Sequence, residues 1–197
     1  MRNSRRSQFS EVGCFDDGEG VEIENLILIF WLVENTHLHI KLGTKCAKWD
    51  LPYPTMKLDD IKNLNVKELA EKDAHLYLWT INKYLEQSYD VARKWGFKPV
   101  TLITWCKPQH GLGLGGSFVQ TTEYLLLCKR GNLKTNKGVN TTWIAHKRLR
   151  HSEKPQIFRD LILQASGDFP RIELFARQKT EGWDVWGNEV ESDIELS

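Results

Sequence analysis

Net charge is nearly absent from this chain. Its 27 Lys and Arg face 26 Asp and Glu, leaving a formal +1, so overall charge selects no partner. Cysteine is scarce. Cys14, Cys46, Cys106 and Cys128 are scattered and form no C-x-x-C pair, which excludes a zinc ribbon and a disulfide framework read from spacing. His37 and His39 have a plausible metal spacing but no third ligand nearby, so they read as exposed strand histidines and no metal is expected. Residues 26–33 (LILIFWLV) are apolar but only eight long, far short of the roughly 20 that span a bilayer. The basic start MRNSRRSQFSEVG lacks the apolar core of a signal peptide. The expectation is a soluble protein of a reducing, cytoplasmic compartment. No G-x-G-x-x-G follows the first strand-like run, which argues against a dinucleotide-dependent oxidoreductase. The Gly-rich HGLGLGGS at 110–117 lacks both the Lys-Ser/Thr ending and the following helix of a phosphate cradle. It reads as a mobile loop beside a cleft.

What is present has the pattern of an α/β domain. Length suggests one domain over residues 25–190, between polar tails at 1–24 and 191–197. The run at 26–33 reads as a buried strand. Short helices are expected over 58–64 and 66–70, and a central strand over 76–81 (LYLWTI). An amphipathic helix should cover 84–95, with Leu85, Tyr89, Ala92 and Trp95 inward and Gly96 as its stop. Strands follow at 100–105 and 124–128, and the latter two should bury Cys106 and Cys128. Strands alternating with helices predict a mostly parallel sheet covered on both faces.

The stretch 151–189 organises the rest. Pro155 suits a first helical turn. Ile157, Phe158, Leu161, Ile162 and Ala165 then share one helical face until Gly167 and Pro170 stop it. An apolar strand at 172–175 carries a single carboxylate, Glu173, and runs into a loop with Trp183, Trp186 and Asn188. Ligands of open α/β sheets sit at such strand ends.

HSEKP, IELFAR and WDVWGNE, with LPYPTMKLDDIKNL, the block at 73–108 and TTEYLLLCKRGN upstream, resemble the MT-A70-like adenine methyltransferases. The blocks stand in the family's order over about residues 51–189. The resemblance implies a Rossmann-like sheet of the circularly permuted methyltransferase type. It also implies methyl transfer from S-adenosylmethionine to adenine N(6) in nucleic acid, with DNA favoured over RNA because short members resemble phage and bacterial modification enzymes. By the same resemblance Lys154, Arg177, Asn188 and Glu189 would hold the cofactor. From spacing alone Lys154 reads as a turn residue and Arg177 as a solvated strand end.

The family's Asp-Pro-Pro-Trp is missing. That motif would hold the adenine amine beside an aromatic ring, with the base flipped out of its strand. Asp50-Leu51-Pro52-Tyr53 differs from Asp-Pro-Pro-Tyr at one position and makes Asp50 and Tyr53 the candidate catalytic pair, with Thr55 beside them. No strand precedes it, however, and Leu-Pro-Tyr belongs to a separate block of the family. The other alignment sets Trp31 at the aromatic and Leu28 at the aspartate, leaving no carboxylate. A damaged gene start, a shifted frame or a degenerate homologue each gives this pattern. The rival reading is therefore an inactive homologue acting as a nucleic-acid-binding or partner scaffold.

Residues 129–150 carry Lys129, Arg130, Lys134, Lys137, Lys147, Arg148 and Arg150, no acidic residue, and Trp143. Such a loop suits a phosphate backbone and offers a stacking ring, although a solvated basic loop has the same composition. Lys107, in the Trp-x-Lys segment that lines the target side in the family, joins this set. A homodimer or a related methyltransferase subunit is the expected protein partner, in a prokaryotic or phage-infected cell.

Overall fold

The computed structural model describes residues 56–108, 118–149 and 153–196, together with the backbone of 25–31. Among these, seven strands build one sheet: β1 (Asn25–Trp31), β2 (Asp73–Thr80), β3 (Lys98–Cys106), β4 (Thr122–Arg130), β5 (Trp143–Ala145), β6 (Arg171–Leu174) and β7 (Asp184–Trp186). Their order is β5-β3-β4-β2-β1-β6-β7. The helices are α1 (Leu58–Asn63), α2 (Val66–Leu69), α3 (Leu85–Lys94) and α4 (Gln156–Ser166).

The apolar run at 26–33 supplies β1, which lies in mid-sheet, parallel to β2 on one side and to β6 on the other. β2 is buried at every residue from Ala74 to Thr80. Because alternate side chains point to opposite faces, such a run requires cover on both. α4 lies on the face that carries His75, Tyr77 and Trp79. Its Phe158 ring meets Trp79 at 4.9 Å, and its Ser166 meets His75 and Tyr77. α3 packs against β2, β3 and β4.

The sheet is mixed. Four pairings are parallel, and the two made by β4, with β2 and with β3, are antiparallel. The sequence reading did not anticipate this reversal, although the cue is visible. A parallel return needs a crossover of a dozen or more residues, usually helical, and the Gly-rich connection after β3 has no helical periodicity. β5 and β7 were expected as loops. At three residues each they are too short to show a period of two. The inward faces also shift. Ile157 is 45 % exposed, whereas Phe158, Leu161, Ile162 and Ala165 are buried as expected. In α3, Ser88 and Val91 join Ala92 inside, while Leu85 and Tyr89 are half-buried. Gly167 ends α4 at φ 93°, a left-handed conformation that glycine adopts without penalty. Residues read as a terminal tail return to the outer side of β7, where Asp193 N donates to Val185 O at 2.8 Å.

Candidate active site

The sheet order creates a switch point at β1. The chain leaves β1 for β2 on one side and reaches β6 on the other, so the crevice beyond the carboxyl end of β1 is where an open α/β sheet takes its ligand. Two groups of side chains flank that end.

The first group stands at the ends of β2 and β3. Because β4 is reversed, its first residues lie beside these ends, with Glu123 in register with Trp105 and Leu125 with Trp79. The Glu123 carboxylate accepts a hydrogen bond from Lys107 Nζ, and Lys154 Nζ lies 3.5 Å from its other oxygen. That oxygen, Oε2, is buried and accepts no hydrogen bond among the described residues. Burial pushes the Glu123 carboxyl up, but Lys154 and Lys107 together outweigh it and hold the group below its usual range. Burial likewise holds the Lys107 ammonium below its ordinary value, against the pull of Glu123 and with the help of Lys154 and Arg148. Each ammonium also faces an indole: Lys107 stands 4.5 Å from the Trp105 ring centre and Lys154 5.6 Å from that of Trp79. Phe158 packs beneath both indoles. Trp105 Nε1 donates to His146 O at 2.8 Å, fixing the segment that leads to Lys147 and Arg148. Lys107, Lys154 and Arg148 thus set three cations on this wall of the crevice.

The second group stands at the end of β6. Phe175 has φ 61°, a left-handed conformation rare for a bulky residue and costly by about 1–3 kcal/mol. It turns the chain so that Ala176 N donates to Trp186 O at 2.9 Å, with the Phe175 and Trp186 rings edge to face at 5.0 Å. Gly187 closes this approach, since a Cβ there would stand 2.3 Å from Ala176 O. Arg177 Nε then donates to Glu189 Oε1 at 2.9 Å, both side chains being well exposed. Asn188 is exposed beside them. A carboxylate, a guanidinium and a carboxamide on the adjacent turns after β6 and β7 offer donors and acceptors that suit ribose hydroxyls and an amino-acid tail. The donor set thus fits S-adenosylmethionine chemically.

The expected residues divide between these groups and a third place. Lys107, Lys154 and Arg148 come together around Glu123. Arg177, after β6, meets Glu189 beside Asn188, after β7, and Lys147 is exposed next to Arg148. Lys129 and Arg130 lie at the far end of β4, six and seven residues from Glu123, which is roughly 20 Å away. Arg130 Nη1 is engaged there by Lys67 O and Ala70 O, both at 2.8 Å. Lys129 Nζ is 3.4 Å from Thr135 Oγ1, and Lys134 and Lys137 are exposed on the connection that follows. Trp143 is 59 % exposed on the edge strand β5. It is in register with Thr104 rather than Trp105, so it projects from the other face of the sheet. Asp50, Tyr53, Thr55, Arg150, His37 and His39 lie outside the described residues. Among the described residues no group of three His, Cys, Asp or Glu could hold a metal ion. No helix there is long and apolar enough to cross a membrane.

Sequence reasoning missed Glu123 and Trp79. The available signal was a lone carboxylate at the head of the strand-like TTEYLLLC. The carboxylate it did notice, Glu173, is instead a structural group. It is 3 % exposed and accepts two bonds from Arg159 Nη2 of α4, at 2.9 and 3.1 Å.

Comparison with known proteins gives the chain's relatives. The chain is 33 % identical over 148 residues to the type II methyltransferase M.MunI of a Mycoplasma species, covering 73 % of this chain and 63 % of that protein. It is 29 % identical over 154 residues to the N(6)-adenosine-methyltransferase MT-A70-like of Arabidopsis thaliana, covering 72 % and 22 %. It is 28 % identical over 156 residues to the human N(6)-adenosine-methyltransferase catalytic subunit METTL3, covering 73 % and 27 %. The chain thus spans just under two thirds of the first of these relatives and about a quarter of the others. The model of the MT-A70 family matches residues 35–189, well over half of the sequence, and the chain belongs to that family.

Proposed function

We propose that this chain transfers the methyl group of S-adenosylmethionine to the N(6) amine of adenine in nucleic acid, on a Rossmann-like, mostly parallel sheet of the circularly permuted type. The observation that carries the proposal is the buried Lys107–Glu123–Lys154 cluster between two indoles at the switch point. An indole wall suits a base turned out of its strand. Glu123 Oε2 is a buried acceptor whose neighbouring donor, Lys154 Nζ, stands at 3.5 Å, and it suits an N–H on the base edge. The surplus positive charge of Lys107, Lys154 and Arg148 suits the phosphates on either side. Across the end of β1, Arg177, Asn188 and Glu189 would hold the cofactor, which supplies an electrophilic methyl group. Lys154, on the opposite flank, would face the gap between cofactor and base. Asp50 remains the candidate to hold the amine, with Tyr53 beside it.

DNA takes precedence over RNA as the target. The type II methyltransferase carries the higher identity, 33 %, against 28–29 % for the N(6)-adenosine-methyltransferases. Lys129, Lys134 and Lys137 would serve a nucleic-acid strand long enough to reach the far end of β4, and Trp143 would offer a base platform over the sheet edge. A related methyltransferase subunit or a second copy is the proposed protein partner, and one of the relatives is itself named as a catalytic subunit.

The test is calorimetric titration with S-adenosylmethionine of the unaltered chain, Asn188→Ala and Lys154→Ala, followed by methyl transfer to an adenine-containing oligonucleotide by Asp50→Ala and Glu123→Gln. Micromolar binding lost in both binding variants, with transfer lost in the other two, supports the proposal. A second reading, an inactive scaffold, is favoured by one specific observation: the described residues of β1 end in Phe30 and Trp31, with no carboxylate among them. A folded chain that binds nucleic acid but neither binds S-adenosylmethionine nor transfers a methyl group establishes that reading.

A further inference from the structure

We propose that residues 191–196 form a clasp that positions the cofactor loop, with Asp193 as its positioning residue. The role rests on the reading above, in which the turn after β7 holds S-adenosylmethionine. β7 is an edge strand of three residues, paired on its inner side with β6. So short a strand holds its place weakly, and its outer N–H and C=O would be open. Asp193 closes both. Its backbone N donates to Val185 O at 2.8 Å, and its Oδ2 accepts from Val185 N at 3.0 Å. Its other oxygen accepts from Lys179 Nζ at 2.8 Å. Lys179 lies two residues after Arg177, in the connection from β6 to β7, so one carboxylate ties that connection to β7.

The neighbouring residue extends the grip. Ser192 Oγ accepts from Gly187 N at 3.2 Å. Gly187 is also pressed against Ala176 from within, where no Cβ fits. The turn that carries Asn188 and Glu189 is therefore held on its inner side by β6 and on its outer side by the clasp. Ile194 and Leu196 anchor the segment by packing on the core. The surroundings are acidic. Asp184 and Glu191 lie near Lys179 and Asp193, so Lys179 is the cation that lets these carboxylates share one corner.

The experiment compares the unaltered chain with Asp193→Ala, Asp193→Asn and Ser192→Ala. Three quantities are read: hydrogen exchange of the amides at 183–189, thermal unfolding, and affinity for S-adenosylmethionine below the melting range. Asp193→Ala should speed exchange at 184–189 and raise the cofactor Kd about tenfold. Asp193→Asn keeps an acceptor for Val185 N–H and should recover most of the affinity. Ser192→Ala should move both readouts the same way by less, and it keeps the test open if Asp193→Ala fails to fold. Unchanged exchange at 183–189 in a folded Asp193→Ala overturns the clasp. Faster exchange with an unchanged Kd overturns the positioning role and leaves an edge cover. An unaltered chain that binds no cofactor overturns the methyltransferase reading instead, and the failure of the parent protein itself identifies that case.

Discussion

Both flanks of the β1 end pair a carboxylate with a cation, and the pairs differ in almost everything else. The Glu123 pair is 16 % exposed on the acid side and 10 % and 4 % on the two lysines. The Arg177–Glu189 pair is 37 % and 39 % exposed. In water an ion pair contributes about 0–1 kcal/mol, because solvation and side-chain entropy cancel most of the attraction. Out of water the pair is a requirement, since each partner is costly without the other. The left flank is thus assembled before any ligand arrives, and its aromatic walls are packed in the core. The right flank is held by backbone geometry, namely the left-handed Phe175, the Gly187 contact and the clasp, and its charged ends lie at the surface.

The largest expected effect breaks the left flank. Glu123→Ala leaves two buried ammonium groups facing each other and should cost about 3 kcal/mol, which is roughly 6–12 °C in Tm for a chain of this size. Glu189→Ala should change stability by less than about 0.5 kcal/mol. Thermal unfolding of the two variants side by side tests this. Equal losses would mean that the two pairs are equivalent after all. Lys107→Met is gentler. It leaves Glu123 with Lys154 and relieves repulsion among three cations, so a loss of about 1 kcal/mol is expected, together with weaker nucleic-acid binding measured by titration with a labelled oligonucleotide.

The contrast also explains what could be read from the sequence. β2, β4 and β6 were legible because burial on both faces writes itself as a near-continuous apolar run, and β1 and β3 because of their β-branched and aromatic residues. The turn residues Lys154, Arg177, Asn188 and Glu189 came from family motifs. The Glu123 cluster did not, because its members come from β3, β4 and the turn before α4, and nothing local links Lys107 to a carboxylate sixteen residues on. The reversal of β4, which brings Glu123 to the ligand end, is a property of the topology. The basic stretch 129–150 shows the opposite relation. Contiguous in sequence, it is divided by β4, β5 and their connection between two ends of the sheet, and Arg130 serves the carbonyls of α2 rather than solvent.

A smaller effect comes from the face that supports the left flank. His75 on β2 is fully buried, and its tautomer follows from its partners. Leu133 O only accepts, so Nε2 carries the proton and donates at 3.1 Å. Nδ1 then accepts from the Ser166 hydroxyl at 2.8 Å, and Ser166 Oγ accepts from Tyr77 at 2.7 Å. Burial lowers the His75 pKa from 6.5, Leu133 O opposes this, and Lys129 adds to it. The unfolded chain therefore takes up this proton first. The stability contributed by neutral His75 is complete above about pH 6.5 and is lost as pH falls toward the folded pKa, with a slope of at most about 1.4 kcal/mol per pH unit. Melting from pH 8 to 5, compared with His75→Gln, should show a steeper acid decline in the unaltered chain. Parallel curves would remove His75 as the cause.

The smallest expected effect lies on the right flank and sharpens the comparison most. A double-mutant cycle of Arg177→Ala and Glu189→Ala should give a coupling energy within about 0.5 kcal/mol, the range of an exposed pair. It should shrink further in 0.5 M salt, where charges are screened within about 5 Å. In S-adenosylmethionine titrations the same two substitutions should each raise Kd about tenfold. Both side chains, nearly idle in the folding balance, would then be engaged by ligand. A coupling of 2 kcal/mol or more in stability would instead make this pair a structural lock like Glu123, and the flank would no longer be one whose charged ends are held in reserve for a ligand.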